Sequence, residues 1–290
     1  MATMKVAAIQ MCSTADVDRN NLAIADAVHE AAGRGAQLIC LPEAANILLS
    51  NNLDYPRICR PEEGDETLAL CRSLARERGV WLHTGSLLVR TEDGARVWNR
   101  SHVIAPSGDI VARYDKLHTF DVALGGKNDF TESLAVAPGR GGGIVVEAEG
   151  IGFGLSICYD IRFPYLFRAL AMAGAQVLTI PASFSPVTGP LHWETLLKAR
   201  AIETGCYVIA PGQCGTRDGV RTFGQSRIIS PMGEVIAAAG DDPDVLMADI
   251  YTDTVDDVRR KLPVLMQTRN IETIQYVTPH VDDLMHEAEA

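Results

Sequence analysis

Long apolar runs are missing from this 290-residue chain. No stretch approaches the ~18 uninterrupted apolar residues of a spanning helix, although 47% of the residues are hydrophobic. Basic residues are also scarce: 26 Lys and Arg stand against 37 Asp and Glu, giving a net charge of −11. Nucleic acid and anionic membranes call for a local Lys/Arg excess, so this balance argues against both as partners. Paired cysteine spacing is absent. The seven cysteines (12, 40, 59, 71, 158, 206 and 214) are odd in number, lie mostly inside apolar runs and show no CxxC. That usage fits reduced thiols in a cytoplasmic protein. The seven histidines form no HxxxH or Cys/His cluster, so neither a metal site nor a cofactor is expected. The glycine-rich segments at 139–143 and 150–154 neither follow a strand nor open a helix as a phosphate loop must, and read as turns and tight packing. MATMKVAAIQM carries one lysine and runs into a strand-like pattern, unlike a signal peptide.

What the chain does contain is a regular alternation of short β-type runs and helical stretches. Val- and Ile-rich runs such as KVAAIQM, AQLICLP, VWLHTGSLLV, DIVARYDK, GIVVEAEGIGFGLSIC, AQVLTIPA and CYVIAPGQCG are bounded by Gly, Pro or Asp and read as strands. Helices are expected at about 19–33, 65–78, 163–173, 191–204 and 253–261 from the 3.6-residue period. Thr188, Gly189 and Pro190 make a helix start before LHWETLL. RGAQLICLPEA (34–44) resembles AGAQVLTIPAS (173–183), and each copy follows an Ala-rich helix. The repeat suggests two related αβ halves with two mostly buried sheets facing each other and helices outside; one open doubly wound sheet is the competing arrangement. No low-complexity linker divides the halves, so residues 1–275 are expected to form one domain. The acidic segment 276–290 is expected to be a tail.

Three of the apolar runs end on an ionisable residue. LICLPEAA ends at Glu43, DIVARYDKLH at Lys116, and GFGLSICYDIRFP at Cys158. Taken singly, a buried Cys is a packing residue, a Glu after Leu-Pro a turn residue, and a Lys after Tyr-Asp a solvated one. Together a thiol, an amine and a carboxylate are the parts of a nucleophilic acyl-transfer site. Arg162, four residues past the thiol, suits a substrate carboxylate because a guanidinium offers a bidentate fork; the alternative is an ion pair with Asp160. Thr188 could donate a hydroxyl to the same anion. His118 and His192 are placed near the cleft or in structural roles, and Trp193 in the core or an interface.

LPEAA, RYDKLHTFD and SICYDIRFP, in this order, resemble the nitrilase superfamily of carbon–nitrogen hydrolases, and the similarity extends from KVAAIQM to KLPVLMQTRN. The resemblance implies an α/β fold, a four-layer α-β-β-α sandwich. It implies Glu43 as general base, Lys116 as oxyanion stabiliser and Cys158 as nucleophile, with Glu132 in FTES as a second glutamate orienting Lys116 or the substrate. The backbone N–H of Tyr159 would be the other oxyanion donor. The segment FSPVTGPLHWETLLKARAIETGCYVIAPGQCG is similar to the branch holding deaminated-glutathione amidases and ω-amidases. The implied reaction is hydrolysis of a small amide through a Cys thioester with release of ammonia, the substrate being deaminated glutathione or a related 2-oxo acid amide carrying a carboxylate. An N-carbamoyl amino-acid amidohydrolase, an aliphatic amidase or nitrilase, and a catalytically silent interaction protein are the alternatives. Relatives commonly pair sandwiches, so a homodimer or higher homo-oligomer is expected. Many relatives carry Glu where this chain has Tyr165.

Overall fold

A computed structural model of the chain describes residues 2–126, 129–267 and 269. The expected tail, 276–290, lies outside the described residues. In chain order the first half contains β1 (Thr3–Gln10), α1 (Val17–Gly33), β2 (Leu38–Cys40), α2 (Tyr55–Ile58), α3 (Glu66–Arg78), β3 (Trp81–His83), β4 (Leu87–Arg90), β5 (Val97–Ile104) and β6 (Ile110–Asp115). Short strands β7 (Asp121–Val122), β8 (Phe130–Thr131) and β9 (Val136–Ala137) follow. The second half runs through β10 (Val145–Ala148), β11 (Ile151–Leu155), α4 (Pro164–Met172), β12 (Val177–Thr179), α5 (Gly189–Thr204) and β13 (Tyr207–Ala210). It ends with β14 (Thr216–Arg217), β15 (Val220–Arg221), β16 (Arg227–Ile229), β17 (Val235–Ala238), β18 (Asp244–Tyr251) and α6 (Thr252–Lys261).

Side-chain alternation along the strands explains the layering. On β1, Val6 and Ala8 point one way and join Leu38, Cys40, Phe153, Val177 and Ile209, so residues from two sheets share one apolar cluster. The alternate residues Ala7 and Ile9 point the other way and pack with Ile24, Val28, Leu68 and Leu74 of α1 and α3. In the second half Leu155, Leu178 and Val208 meet Leu166, Phe167, Leu197 and Ala201 of α4 and α5. Central strands covered on both faces read as near-continuous apolar runs, which is why LIC and VLT are buried throughout, the one polar residue, Thr179, bonding its hydroxyl to Gly154 O. The order of layers is helices, sheet, sheet, helices. One sheet runs β18-β1-β2-β3-β5-β4, with β6 and β9 also paired to β5, and the other runs β10-β11-β12-β13-β16-β17. The open doubly wound alternative is therefore replaced by the sandwich.

The internal repeat is structural. The sequence match shifts Leu38–Cys40 onto Val177–Thr179, and these are β2 and β12, each flanked by two parallel strands. Gln37 and Gln176 occupy equivalent places: the N–H of each donates to the preceding strand (Lys5 and Gly152 carbonyls, both 2.8 Å) and the carbonyl of each accepts from the next (Trp81 and Tyr207). Their side-chain oxygens repeat the pattern, accepting from the N–H of Lys5 and of Gly152.

Two runs that read as single strands are broken. GIVVEAEGIGFGLSIC is the β10–β11 hairpin, turned at Glu149 and Gly150, both at positive φ (52° and 76°). Two consecutive left-handed residues are what a tight hairpin turn requires. VWLHTGSLLV is interrupted at Gly85, whose φ is 62°. A Cβ there would lie 2.1 Å from the carbonyl oxygens of both Leu41 and Pro42. The strand stops because another loop crosses it, and that loop carries Glu43.

Candidate active site

Each of the three strand-end residues sits on a backbone segment tied to its neighbours. The turn Pro42–Ala45 is held against residues 83–86: the Ser86 N–H donates to Pro42 O, the Ser86 hydroxyl accepts from the Ala44 N–H at 3.0 Å, and the Ala45 N–H donates to Ser86 O. Gln213 braces the same turn from the other half by donating to Glu43 O at 2.9 Å. Ala44 has φ 54°, an uncommon value for a residue with a Cβ. Lys116 directly follows β6, with its N–H bonded to Asn99 O and its carbonyl to the Gly139 N–H. Cys158 opens a 3-10 turn, Cys158–Arg162, at φ 47°. Its N–H donates to Pro181 O at 2.8 Å.

Asp160 fixes this strained elbow. One carboxylate oxygen accepts from the Ile157 N–H (2.8 Å) and the Tyr114 hydroxyl (2.7 Å), and the other from the His118 N–H and ring Nδ1. With Nδ1 donating to Asp160, His118 Nε2 accepts from the Tyr165 hydroxyl at 2.5 Å. The His118 ring stacks on Phe163. His118 is thus a brace between the segment after Lys116 and the Cys158 turn. The Tyr165 hydroxyl completes that brace.

The side chains converge. Lys116 Nζ lies 2.8 Å from Glu43 Oε1 and 3.0 and 2.9 Å from the two oxygens of Glu132, and only 2% of Lys116 is exposed. Asn99 Nδ2 donates to Glu43 at 2.9 Å and to Glu132 at 3.4 Å. The second Glu43 oxygen accepts from the Ser183 N–H at 2.7 Å, and Cys158 lines the same cavity as this carboxylate. Glu132 is further held by the Phe120 N–H at 2.5 Å.

Charge follows from this packing. Burial alone would push the Glu43 carboxyl up, but the Lys116 ammonium and the Ser183 hydrogen bond bring it below its ordinary value. Burial would push Lys116 down, yet Glu132 and Glu43 together raise it well above normal. Cys158 is raised well above its ordinary value, by burial first and then by the Glu43 charge, with Lys116 opposing. At neutral pH the site therefore holds a neutral thiol against an ionised carboxylate, with the ammonium committed to two acids. A thiol in this state is not a preformed thiolate, and an attack by it would need a neighbouring base to take its proton.

Glu43, Lys116, Glu132, Cys158 and Tyr159 all line one cavity of about 490 Å³, together with Arg162, Thr188 and Arg221. Arg162 does not pair with Asp160. Its guanidinium contacts His192 Nδ1 at 3.1 Å and the Thr188 hydroxyl at 3.4 Å. It also lies over the Tyr159 and Phe184 rings, which leaves its charge without a carboxylate among the described residues. Tyr159 is the second residue of its 3-10 turn, where the turn offers its N–H no acceptor. Trp193 is in the core, packed on Phe184.

Sequence reading missed Asn99, Ser183 and the β14–β15 hairpin. Asn99 had a signal, a polar residue in the middle of a buried strand; the Ser183 contribution is a backbone N–H and leaves no trace in residue type.

The carbon–nitrogen hydrolase family matches residues 5–260. The chain is 38% identical over 268 residues to deaminated glutathione amidase of Bos taurus, covering 91% of this chain and 81% of that one. It is 34% identical over 273 residues to an omega-amidase of Danio rerio, covering 93% and 96%. The crystal structure of the C. elegans NitFhit protein superimposes with a TM-score of 0.87 at 34% identity, over 93% of this chain and 66% of that chain. Sandwich, cavity and likeness over nine-tenths of its length agree: the chain belongs to the carbon–nitrogen hydrolase family of the nitrilase superfamily, among its amidases.

Proposed function

We propose that the chain hydrolyses amides of 2-oxo dicarboxylic acids, deaminated glutathione first among them, through a thioester on Cys158. The single observation that carries the chemistry is that Cys158 lines the same cavity as the buried Glu43–Lys116 ion pair. Cys158 attacks the amide carbon while Glu43 takes its proton. Lys116 and the Tyr159 N–H hold the developing oxyanion. Glu43 returns the proton to the departing nitrogen, then activates water against the thioester. Glu132 keeps Lys116 aimed.

The leaving group depends on the amide. A primary amide such as 2-oxoglutaramate releases ammonia, whereas deaminated glutathione releases cysteinylglycine by its amine. Ammonia detection alone would miss the second reaction, so the assay must read 2-oxoglutarate. Likeness to deaminated glutathione amidases supports the substrate, and the Arg162 guanidinium supports an acyl chain ending in a carboxylate.

The test is 2-oxoglutarate release from deaminated glutathione and from 2-oxoglutaramate by the wild type and by Cys158→Ala. Turnover by the wild type and loss of at least ~10³-fold in the variant are expected. Activity confined to N-carbamoyl amino acids or nitriles, or an active Cys158→Ala, would overturn the reading. We also infer self-association through the apolar residues left open on α4 and α5, among them Leu191 (76% exposed) and Ile202 (52%); light scattering at monomer mass would refute it. A reducing, cytoplasmic setting is inferred from seven free cysteines, six of them buried.

A further inference from the structure

Besides Lys116, whose charge is held by two carboxylates, the cavity is lined by two cations, Arg162 and Arg221. They lie at different depths: Arg162 is half-buried on the turn that carries Cys158, and Arg221 is exposed on β15. Among the described residues no carboxylate pairs with either. This is notable in a chain of net charge −11, where acidic partners outnumber basic ones. The cavity's remaining acid outside the catalytic cluster, Asp129, accepts from the Gly125 N–H and pairs with neither arginine.

Arg221 is also held in place. The Thr222 N–H closes the hairpin on Gly215 O, and the Phe223 N–H donates to Phe184 O, both at 3.0 Å. Phe223 covers Gly189 so closely that a Cβ there would stand 2.3 Å from its ring. Asp218 at the hairpin tip accepts from the Ala15 N–H. Phe184 and Thr188 are the residues that seat Arg162, so the two guanidinium groups belong to one wall.

We propose that Arg221 binds a carboxylate on the leaving amine, making the chain selective for amides with an anion on each side of the scissile bond. The proposal rests on the 2-oxo acid reading above. The acyl part stays bound to Cys158 after the first step, so its carboxylate belongs at the deeper cation, Arg162. The amine must leave by the mouth, where Arg221 stands. Deaminated glutathione fits both positions, since its cysteinylglycine half ends in a carboxylate. 2-Oxoglutaramate has the inner anion alone.

The two substrates give the same 2-oxoglutaryl thioester, so any step after amine departure is common to both. A group that touches only the amine alters acylation by one substrate and nothing else. Arg221→Ala should lower kcat/KM for deaminated glutathione about tenfold, the worth of one charge-assisted hydrogen bond at a partly solvated rim. The 2-oxoglutaramate value should stay within about twofold. Arg221→Lys should recover part of the loss and Arg221→Glu should deepen it. Equal loss on both substrates, or none on deaminated glutathione, would overturn the subsite while leaving the substrate reading intact. A wild-type protein that hydrolyses neither compound would remove that reading and the subsite with it.

Discussion

Lys116→Met tests the electrostatic core of the site, because methionine keeps most of the length of the side chain and removes the charge. In the wild type the ammonium stands between Glu43 and Glu132, at 2.8 and 2.9 Å, with side-chain exposures of 6% and 9% for the two acids. Without it the two buried carboxylates keep Asn99 as a shared donor and one backbone N–H each, from Ser183 and Phe120. Removing one partner of a buried ion pair costs about 3–5 kcal/mol. Two like charges this close cannot both remain ionised, so one acid takes up a proton. The sign of the pH dependence then differs between the two proteins. In the wild type the Glu43 carboxyl is held below its ordinary value, so its stabilisation is present at neutral pH and is lost only as pH falls through that lowered value. In the variant the shared acid is raised, so stability grows as pH falls through that raised value toward the ordinary one. Urea unfolding at pH 8 and pH 5 should therefore show a stability gap that narrows at the lower pH, by up to about 1.4 kcal/mol per pH unit for one proton. Activity should fall at least ~10³-fold, from loss of an oxyanion donor and of the ionised base. A gap that does not change with pH, or activity within tenfold of wild type, would refute the reasoning.

Gly85→Ala should cost more than about 2 kcal/mol and lower kcat, since its φ of 62° is strained for alanine and its Cβ would strike the Leu41 and Pro42 carbonyls at 2.1 Å; a thermal melt and a rate matching the wild type would show that the Glu43 turn is not set by that contact. For the pH profile, kcat/KM should hold level from about pH 5 to 8, because Glu43 titrates below its ordinary value while Cys158 and Lys116 are raised well above theirs. A rise in rate through neutral pH would instead mark a thiolate formed before substrate binds.

Most of the sandwich is legible in the chain because its physical causes are local. The β2 and β12 strands are buried at every position since each is covered on both faces, and the repeat around Gln37 and Gln176 shows the two halves directly. The helices at α1, α3, α4, α5 and α6 follow the apolar period to within a few residues. What is not legible depends on distant backbone. Gly85 breaks a strand because the Glu43 loop passes over it, and nothing near Gly85 in sequence says so. Glu43, Lys116 and Cys158 are recognisable as strand-end residues, and the structure brings them to one cavity. The setting of Cys158 is a different matter: a nearby lysine suggests a thiolate, and only the geometry shows that lysine bonded to both Glu132 and Glu43. Arg221 carries no motif at all, and its place at the cavity mouth comes from the fold of a hairpin anchored on Phe184 and Gly189.

The most direct measurement is to quench the protein during turnover of 2-oxoglutaramate and locate the acyl group by peptide mass mapping. The account predicts a 2-oxoglutaryl thioester on Cys158 and none on the other six cysteines. Steady turnover with Cys158 unmodified, or an acyl group on another residue, would contradict it.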